Sequence, residues 1–200
     1  MFSILWCQLP DNRREEGIAR MRQGLTAYQA VGAELFRPYF LALLAEAYGK
    51  VGQTEEGLAV LAEALPVVDN TGVYQWAAEL YRLKGELVLQ SRIQVLESQE
   101  ENKESKGKRQ KSKIPTTQHL PPSTQVEAEE CFHKAIEIAR RQEAKSLELR
   151  AVMSLSRLWQ QQGKQKEAHQ MLADVYGWFT EGFGTKDLQE AKTLLRELIG

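Results

Sequence analysis

Four stretches of the chain carry the same order of residue sizes. Each has a small residue, a large apolar residue four positions on, and a small or β-branched residue three after that. The triplets are Gly17/Met21/Gly24, Gly57/Leu61/Ala64, Ala128/Phe132/Ala135 and Ala168/Leu172/Val175. Their first members stand at 17, 57, 128 and 168, so the spacings are 40, 71 and 40. The middle spacing is 31 residues too long, and a polar stretch of about that length lies inside it. With that stretch set aside, one period of 40 runs through the chain.

A spacing of i, i+4, i+7 puts each triplet on one face of a helix. Small residues on that face let a second helix approach closely, and the large residue fills the hollow between the two. Such faces are buried when helix pairs stack and share one continuous core. The expectation is an all-α chain of antiparallel helical hairpins, with each triplet on a second helix. Every second helix then needs a partner just upstream. Leu41, Leu44, Ala45 and Tyr48 supply one stripe, and Val152, Leu155, Ser156 and Trp159 repeat it. Tyr81, Gly85 and Val88 fall in the same phase, but Lys84 interrupts them, and Leu80, Leu83 and Leu87 offer a stripe displaced by one residue. Gly52-Gln53-Thr54 and Gly163-Lys164 mark turns, because glycine ends helices in the left-handed region and Thr54 is placed to N-cap the next helix.

These periods divide the chain. Residues 1–96 hold repeat one, repeat two and the first helix of repeat three. Residues 1–9 fall where the first helix of repeat one belongs, with Pro10-Asp11 ending it. That helix reads as cut short, and its apolar Phe2, Ile4, Leu5 and Trp6 leave the N-terminal end open to self-association. Residues 97–125 are rich in Lys, Glu and Pro and almost free of large apolar side chains, so they read as a disordered insertion. The alternative for it is a basic arm on nucleic acid or anionic lipid, diluted by Glu97, Glu100, Glu101 and Glu104. Residues 126–184 hold the second helix of repeat three and repeat four. Residues 185–200 read as an amphipathic capping helix, with Leu188, Ala191, Leu194, Leu195 and Leu198 on one face. Trp178, Phe179 and Phe183 are expected beneath that cap, the sharper alternative being an aromatic ligand cage.

Charge and chemistry narrow the function. A net charge of −1 gives no field toward nucleic acid or an anionic membrane. No apolar run reaches the ~18 residues of a membrane span. The opening residues make a poor signal peptide, so a cytoplasmic location is the default. Cys7 and Cys131 have no metal-ligand spacing, and Cys131 and His133 point in different directions on a helix. His119, His133 and His169 are scattered and read as surface or loop residues. Glu55-Glu56 and Glu129-Glu130 could supply acid–base groups, but at helix starts such pairs more often favour the helix dipole. No phosphate-cradling G-x-x-x-x-G-K-[ST] occurs. The reading is a non-catalytic chain without metal or cofactor.

Leu44-Ala45, Tyr48, Gly57, Leu61 and Ala64 resemble the tetratricopeptide pattern, as do Leu155-Ser156, Trp159, Ala168, Leu172 and Val175. The period of 40 departs from the usual value of about 34 and implies longer helices. The resemblance implies a right-handed superhelix of antiparallel hairpins that takes a protein or peptide in its concave groove. A closer resemblance is to the C-terminal helical arm of bacterial signalling proteins that carry AAA-type ATPase and adenylate/guanylate cyclase domains. It rests on Glu15-Glu16-Gly17-Ile18-Ala19-Arg20-Met21, Pro38-Tyr39-Phe40-Leu41-Ala42, Glu79-Leu80-Tyr81-Arg82-Leu83-Lys84-Gly85, Ala144-Lys145-Ser146-Leu147-Glu148 and Tyr176-Gly177-Trp178-Phe179. It implies a regulatory or partner-sensing arm with an ATPase or cyclase domain upstream. The alternative is a scaffold or self-association module unrelated to nucleotide signalling.

Aligned to the tetratricopeptide frame, the groove positions are Tyr39, Ala42, Glu46 and Lys50, then Arg82, Glu86 and Gln90, then Arg150, Met153, Arg157 and Gln161. Arginine suits planar recognition of carboxylates. The competing interpretation is a solvated helix face of i, i+4 and i, i+7 charges. The Lys and Asn clamp by which some members hold a C-terminal carboxylate has no Asn here, which disfavours a chaperone-tail binder.

Overall fold

The computed structural model describes residues 11–71, 74–104 and 120–199. Among them the secondary structure is helical, with no strand. The helices are α1 (Asp11–Ala30), α2 (Arg37–Lys50), α3 (Thr54–Thr71), α4 (Ala77–Glu104), α5 (Pro122–Arg141), α6 (Lys145–Gln161), α7 (Gln165–Tyr176) and α8 (Lys186–Ile199), with a 3-10 turn at Tyr74–Trp76. The expected first helix at residues 1–9 lies outside the described residues. No helix among those described is long and apolar enough to cross a membrane.

Three-residue turns join α2 to α3, α5 to α6 and α6 to α7, too short for anything but a reversal of direction. Gly52 (φ +79°) and Gly163 (φ +80°) take the left-handed conformation that closes two of them. Glu143 (φ +55°) fills the same role between α5 and α6. Each helix packs on the next, and the even-numbered helices also touch in series, α2 with α4, α4 with α6 and α6 with α8. The apolar interior follows that local order. One cluster joins α1 to α5 through Ile138 and Ala139, a second joins α4 to α8, and Leu58 and Tyr81 touch both.

The triplets form this interior. Leu61, Ala64, Ala128, Phe132, Ala135, Ala168, Leu172 and Val175 are buried. Gly57 is buried too, and a Cβ there would stand 2.8 Å from Leu87 Cδ1 and 3.3 Å from the Ala45 carbonyl. Gly85 makes room for Phe132, whose Cε1 would lie 2.6 Å from a Cβ at that position. Both candidate stripes of α4 are used: Leu80, Leu83 and Leu87 are buried, and so are Gly85 and Val88. A helix embedded between α3, α5 and α6 has no need to choose one face. In α8, Leu188, Ala191, Leu194 and Leu198 are buried as the stripe requires.

Four expectations are corrected. The segment read as a disordered insertion is helical at both flanks, since α4 runs to Glu104 and α5 begins at Pro122. Glu, Gln and Ser interrupt no helix that packing has already nucleated, and proline suits a helix start; residues 105–119 lie outside the described residues. Trp178 (59% exposed) and Phe183 (47% exposed) are not buried beneath the cap, because the leucines of α8 close the core without them. Thr54 does not cap its helix. Its hydroxyl donates to Gln94 Oε1 at 2.9 Å, and Gln94 Nε2 donates to the Gly52 carbonyl at 3.0 Å, tying the α2–α3 turn to α4. Glu129-Glu130 stands inside α5 rather than at its start, and Glu129 accepts the indole hydrogen of Trp159 at 2.8 Å.

Candidate functional site

The even-numbered helices present a row of polar positions spaced by one helical turn. Where α2, α4, α6 and the start of α8 meet, these positions line a cleft of about 520 Å³. Seven of the nine residues singled out from the sequence lie in it: Glu46, Lys50, Arg82, Glu86, Arg150, Met153 and Arg157. Tyr39 does not. It lies nearer the start of α2, stacked on Trp76 with ring centroids 4.5 Å apart and beside Phe40 at 5.5 Å. Gln161 is exposed at the end of α6, also outside the cleft. Of the further groove positions, Ala42 is buried, and Gln90 Nε2 donates to the Gly49 carbonyl at 2.8 Å, bracing α4 on α2.

The floor of the cleft is locked. Arg82 holds Glu79 with two hydrogen bonds of 2.9 and 2.7 Å and reaches Glu86 at 2.5 Å. Arg150 reaches the same Glu79 carboxylate at 3.0 Å from α6. The Ser154 hydroxyl donates to Glu86 Oε1 at 2.7 Å. Burial pushes the Glu79 carboxyl up, but the charge and hydrogen bonds of Arg82 and the charge of Arg150 outweigh it, so its pKa lies below the ordinary carboxylate value. For Arg82, burial favours the neutral form, yet Glu86 and Glu79 together hold its pKa above the usual guanidinium value. Deleting one member of such a buried set strands its partners, a cost of about 3–5 kcal/mol.

The rim is looser. Lys50 pairs with Glu46 at 2.8 Å. Arg157 meets Glu190 of α8 at 3.4 Å, Lys186 meets the same carboxylate at 3.4 Å, and Arg150 Nε stands 4.0 Å from Asp187. Such half-exposed pairs contribute about 0–1 kcal/mol each. A partner's charges can replace them at little cost, whereas the floor pairs set the shape of the cleft and resist exchange.

No protein-family model and no curated protein matches this chain. The cleft therefore has to be read from its own chemistry. It mixes both signs of charge, and among the described residues no group of three or more His, Cys, Asp and Glu could hold a metal ion. Cys131 is buried, and burial pushes its thiol up, away from the reactive thiolate. His133 stands 3.8 Å from Glu129 on the surface of α5, His169 is half-buried on α7, and His119 lies outside the described residues.

Sequence reasoning missed six residues of the site, Thr185 just before α8 among them. Glu79 is three positions before Arg82, and that i, i+3 spacing was a legible sign that the arginine carries its own counter-ion. Ser154 follows Arg150 by one turn and was hidden inside a run of buried positions. Lys186, Asp187 and Glu190 were passed over because α8 was read only for its leucine stripe; its polar face turns toward the cleft.

A second concavity, of about 420 Å³, lies between α3, α4 and α5 on Leu65, Val68, Ala77, Tyr81 and Ile138. Its cations Lys134 and Arg141 both pair with Glu137, at 3.0 and 3.6 Å.

Proposed function

We propose that this chain is a non-catalytic protein-binding module, and that a segment of a partner protein lies along the cleft formed by α2, α4, α6 and α8. The carrying observation is the cleft itself: charged residues contributed by successive even-numbered helices converge on one concavity with a rigid floor and an exchangeable rim. A row of this kind suits recognition of an extended or helical peptide, because each helix adds one contact at a regular interval. Arg157 makes one end-on contact with Glu190, so its remaining donors are placed to take a carboxylate of the partner.

Two finer readings are supported by sequence. The period, the triplets and the series contacts of the even-numbered helices fit a tetratricopeptide-like right-handed superhelix capped by α8. The blocks similar to the helical arm of bacterial ATPase- and cyclase-type signalling proteins favour a regulatory or partner-sensing arm. That reading expects an ATPase or cyclase domain encoded with this sequence or in the adjoining coding sequence, and a genomic context holding neither would sink it.

The binding proposal is tested by placing a photo-crosslinking amino acid at Thr185, which lines the cleft, and in a second variant at Lys166, exposed on α7. Cross-linking in the native cell should give a discrete adduct with one protein from Thr185 and none with that protein from Lys166. Adducts that are absent from Thr185, or the same from both positions, would contradict it.

A further inference from the structure

The helices around the cleft contribute charge unequally. Helices α2 and α4 each bring cation and carboxylate together, Lys50 with Glu46 and Arg82 with Glu79 and Glu86. Helix α6 brings only cations, Arg150 and Arg157. Across these three helices four cations face three carboxylates. The start of α8 reverses the balance. It adds Lys186 against Asp187 and Glu190, so cleft and floor together hold five charges of each sign.

The two carboxylates of α8 are held more loosely than those of the floor. Asp187 stands 4.0 Å from Arg150 Nε, and Glu190 stands 3.4 Å from Arg157 and from Lys186. The floor contacts of Glu79 and Glu86 lie between 2.5 and 3.0 Å. A helix dipole favours an acid in the first turn, which is where Asp187 lies. It gives no reason for Glu190, beyond that turn, to reach Arg157 on another helix. The helix itself is fixed, because Leu188, Ala191, Leu194 and Leu198 are buried. The two carboxylates can therefore swing off the arginines while α8 stays in place.

We propose that Asp187 and Glu190 are a built-in competitor for the α6 arginines, and that the segment which displaces them is an acidic stretch of the partner protein. In the free chain they neutralise Arg157 and the outer edge of Arg150. In the complex the partner's carboxylates take those places, and Arg150 keeps its 3.0 Å contact with Glu79. A tethered competitor acts at high effective concentration, so a segment with a single acid displaces it poorly and one with several acids succeeds. This inference rests on the cleft being the binding surface, and it adds the chemistry of the partner and the contact that screens it.

The test titrates the full chain with fluorescent decapeptides of alternating Glu and Ala, Gln and Ala, or Lys and Ala, read by anisotropy at low salt. Half-exposed pairs are each worth up to about fivefold in an equilibrium. Asp187→Asn with Glu190→Gln should therefore tighten the Glu peptide by about tenfold and leave the Gln peptide unchanged. Adding Arg157→Gln should abolish that gain. The same charge change outside the cleft, Glu167→Gln with Asp174→Asn on the exposed side of α7, should leave the affinity as it was. Should the double variant melt early, Glu190→Gln alone keeps the first turn of α8 intact and should give about threefold. No binding of the Glu peptide, an unchanged or weaker affinity in the double variant, an equal gain in the α7 variant, or preference for the Lys peptide would each overturn the proposal. A partner cross-linked from Thr185 through a segment without acids would overturn it too, while leaving the cleft as a binding surface. A gain for the Glu peptide with no adduct from Thr185 would instead count against the binding role and not against the competitor.

Discussion

Helices α1 and α5 carry the same triplet and meet different surroundings. In α5, Phe132 drops into the space that Gly85 leaves open on α4, and Ala128 and Ala135 on either side are fully buried. In α1, Met21 is half-buried and Gly24 borders empty space. The difference teaches that the residue pattern specifies a face, while the neighbours on both sides decide what burial of that face contributes. A helix such as α5, packed between α4 and α6, is closed from two sides, whereas among the described residues α1 packs chiefly on α2.

Unequal mutational costs would sharpen this contrast. Phe132→Ala should destabilise by about 3–5 kcal/mol, the range for a buried aromatic deleted from a tight site. Met21→Ala should cost well under half of that, and equal losses in urea denaturation would break the comparison. A similar gap is expected for charge. Arg82→Gln leaves Glu79 buried without its main partner and should cost about 3–5 kcal/mol. Arg20→Gln removes only the exposed 2.6 Å contact with Glu16 and should cost about 0–1 kcal/mol. Gly85→Ala should destabilise by about 1–3 kcal/mol, because the new methyl would collide with the Phe132 ring rather than with a flexible chain end. Gly24→Ala, by contrast, should stabilise by about 0.4–1 kcal/mol, since nothing obstructs the methyl and the unfolded chain loses freedom. A loss of stability at Gly24 would mean that the hollow there is filled.

Acid offers a smaller, graded check. The Glu79 pKa is lowered on folding, so its pairing stabilises the fold in full above the ordinary value of 4.5 and is lost as pH falls through the lower folded value. Thermal melts should therefore drop as the pH falls below 4.5. That part of the drop should vanish in a Glu79→Gln, Arg82→Gln double variant.

Much of the architecture was legible because it depends on residue size at fixed intervals. The period located α3, α5 and α7, and the apolar stripes located α2, α6 and α8. What could not be read depends on a third body. Thr54 has the chemistry of an N-cap, but its hydroxyl was claimed by Gln94, forty residues away. Trp178 and Phe183 have the hydrophobicity of core residues, but the leucines of α8 had already closed that core. The cleft shows the same division. Seven lining residues followed from the helical frame, while Tyr39 was drawn away by Trp76, and Asp187 and Glu190 arrived from a helix read only for its apolar side.

The central claim is that the rim of the cleft is a protein-binding surface. Its most direct test is the affinity of the partner captured from Thr185 for three variants of the chain, measured by calorimetry at low and physiological salt. Lys50→Glu and Arg157→Glu should each weaken binding by about tenfold or more, with a smaller penalty at the higher salt, while Lys166→Glu leaves it unchanged. Equal affinities for all three, in proteins that melt like the parent, would contradict the account.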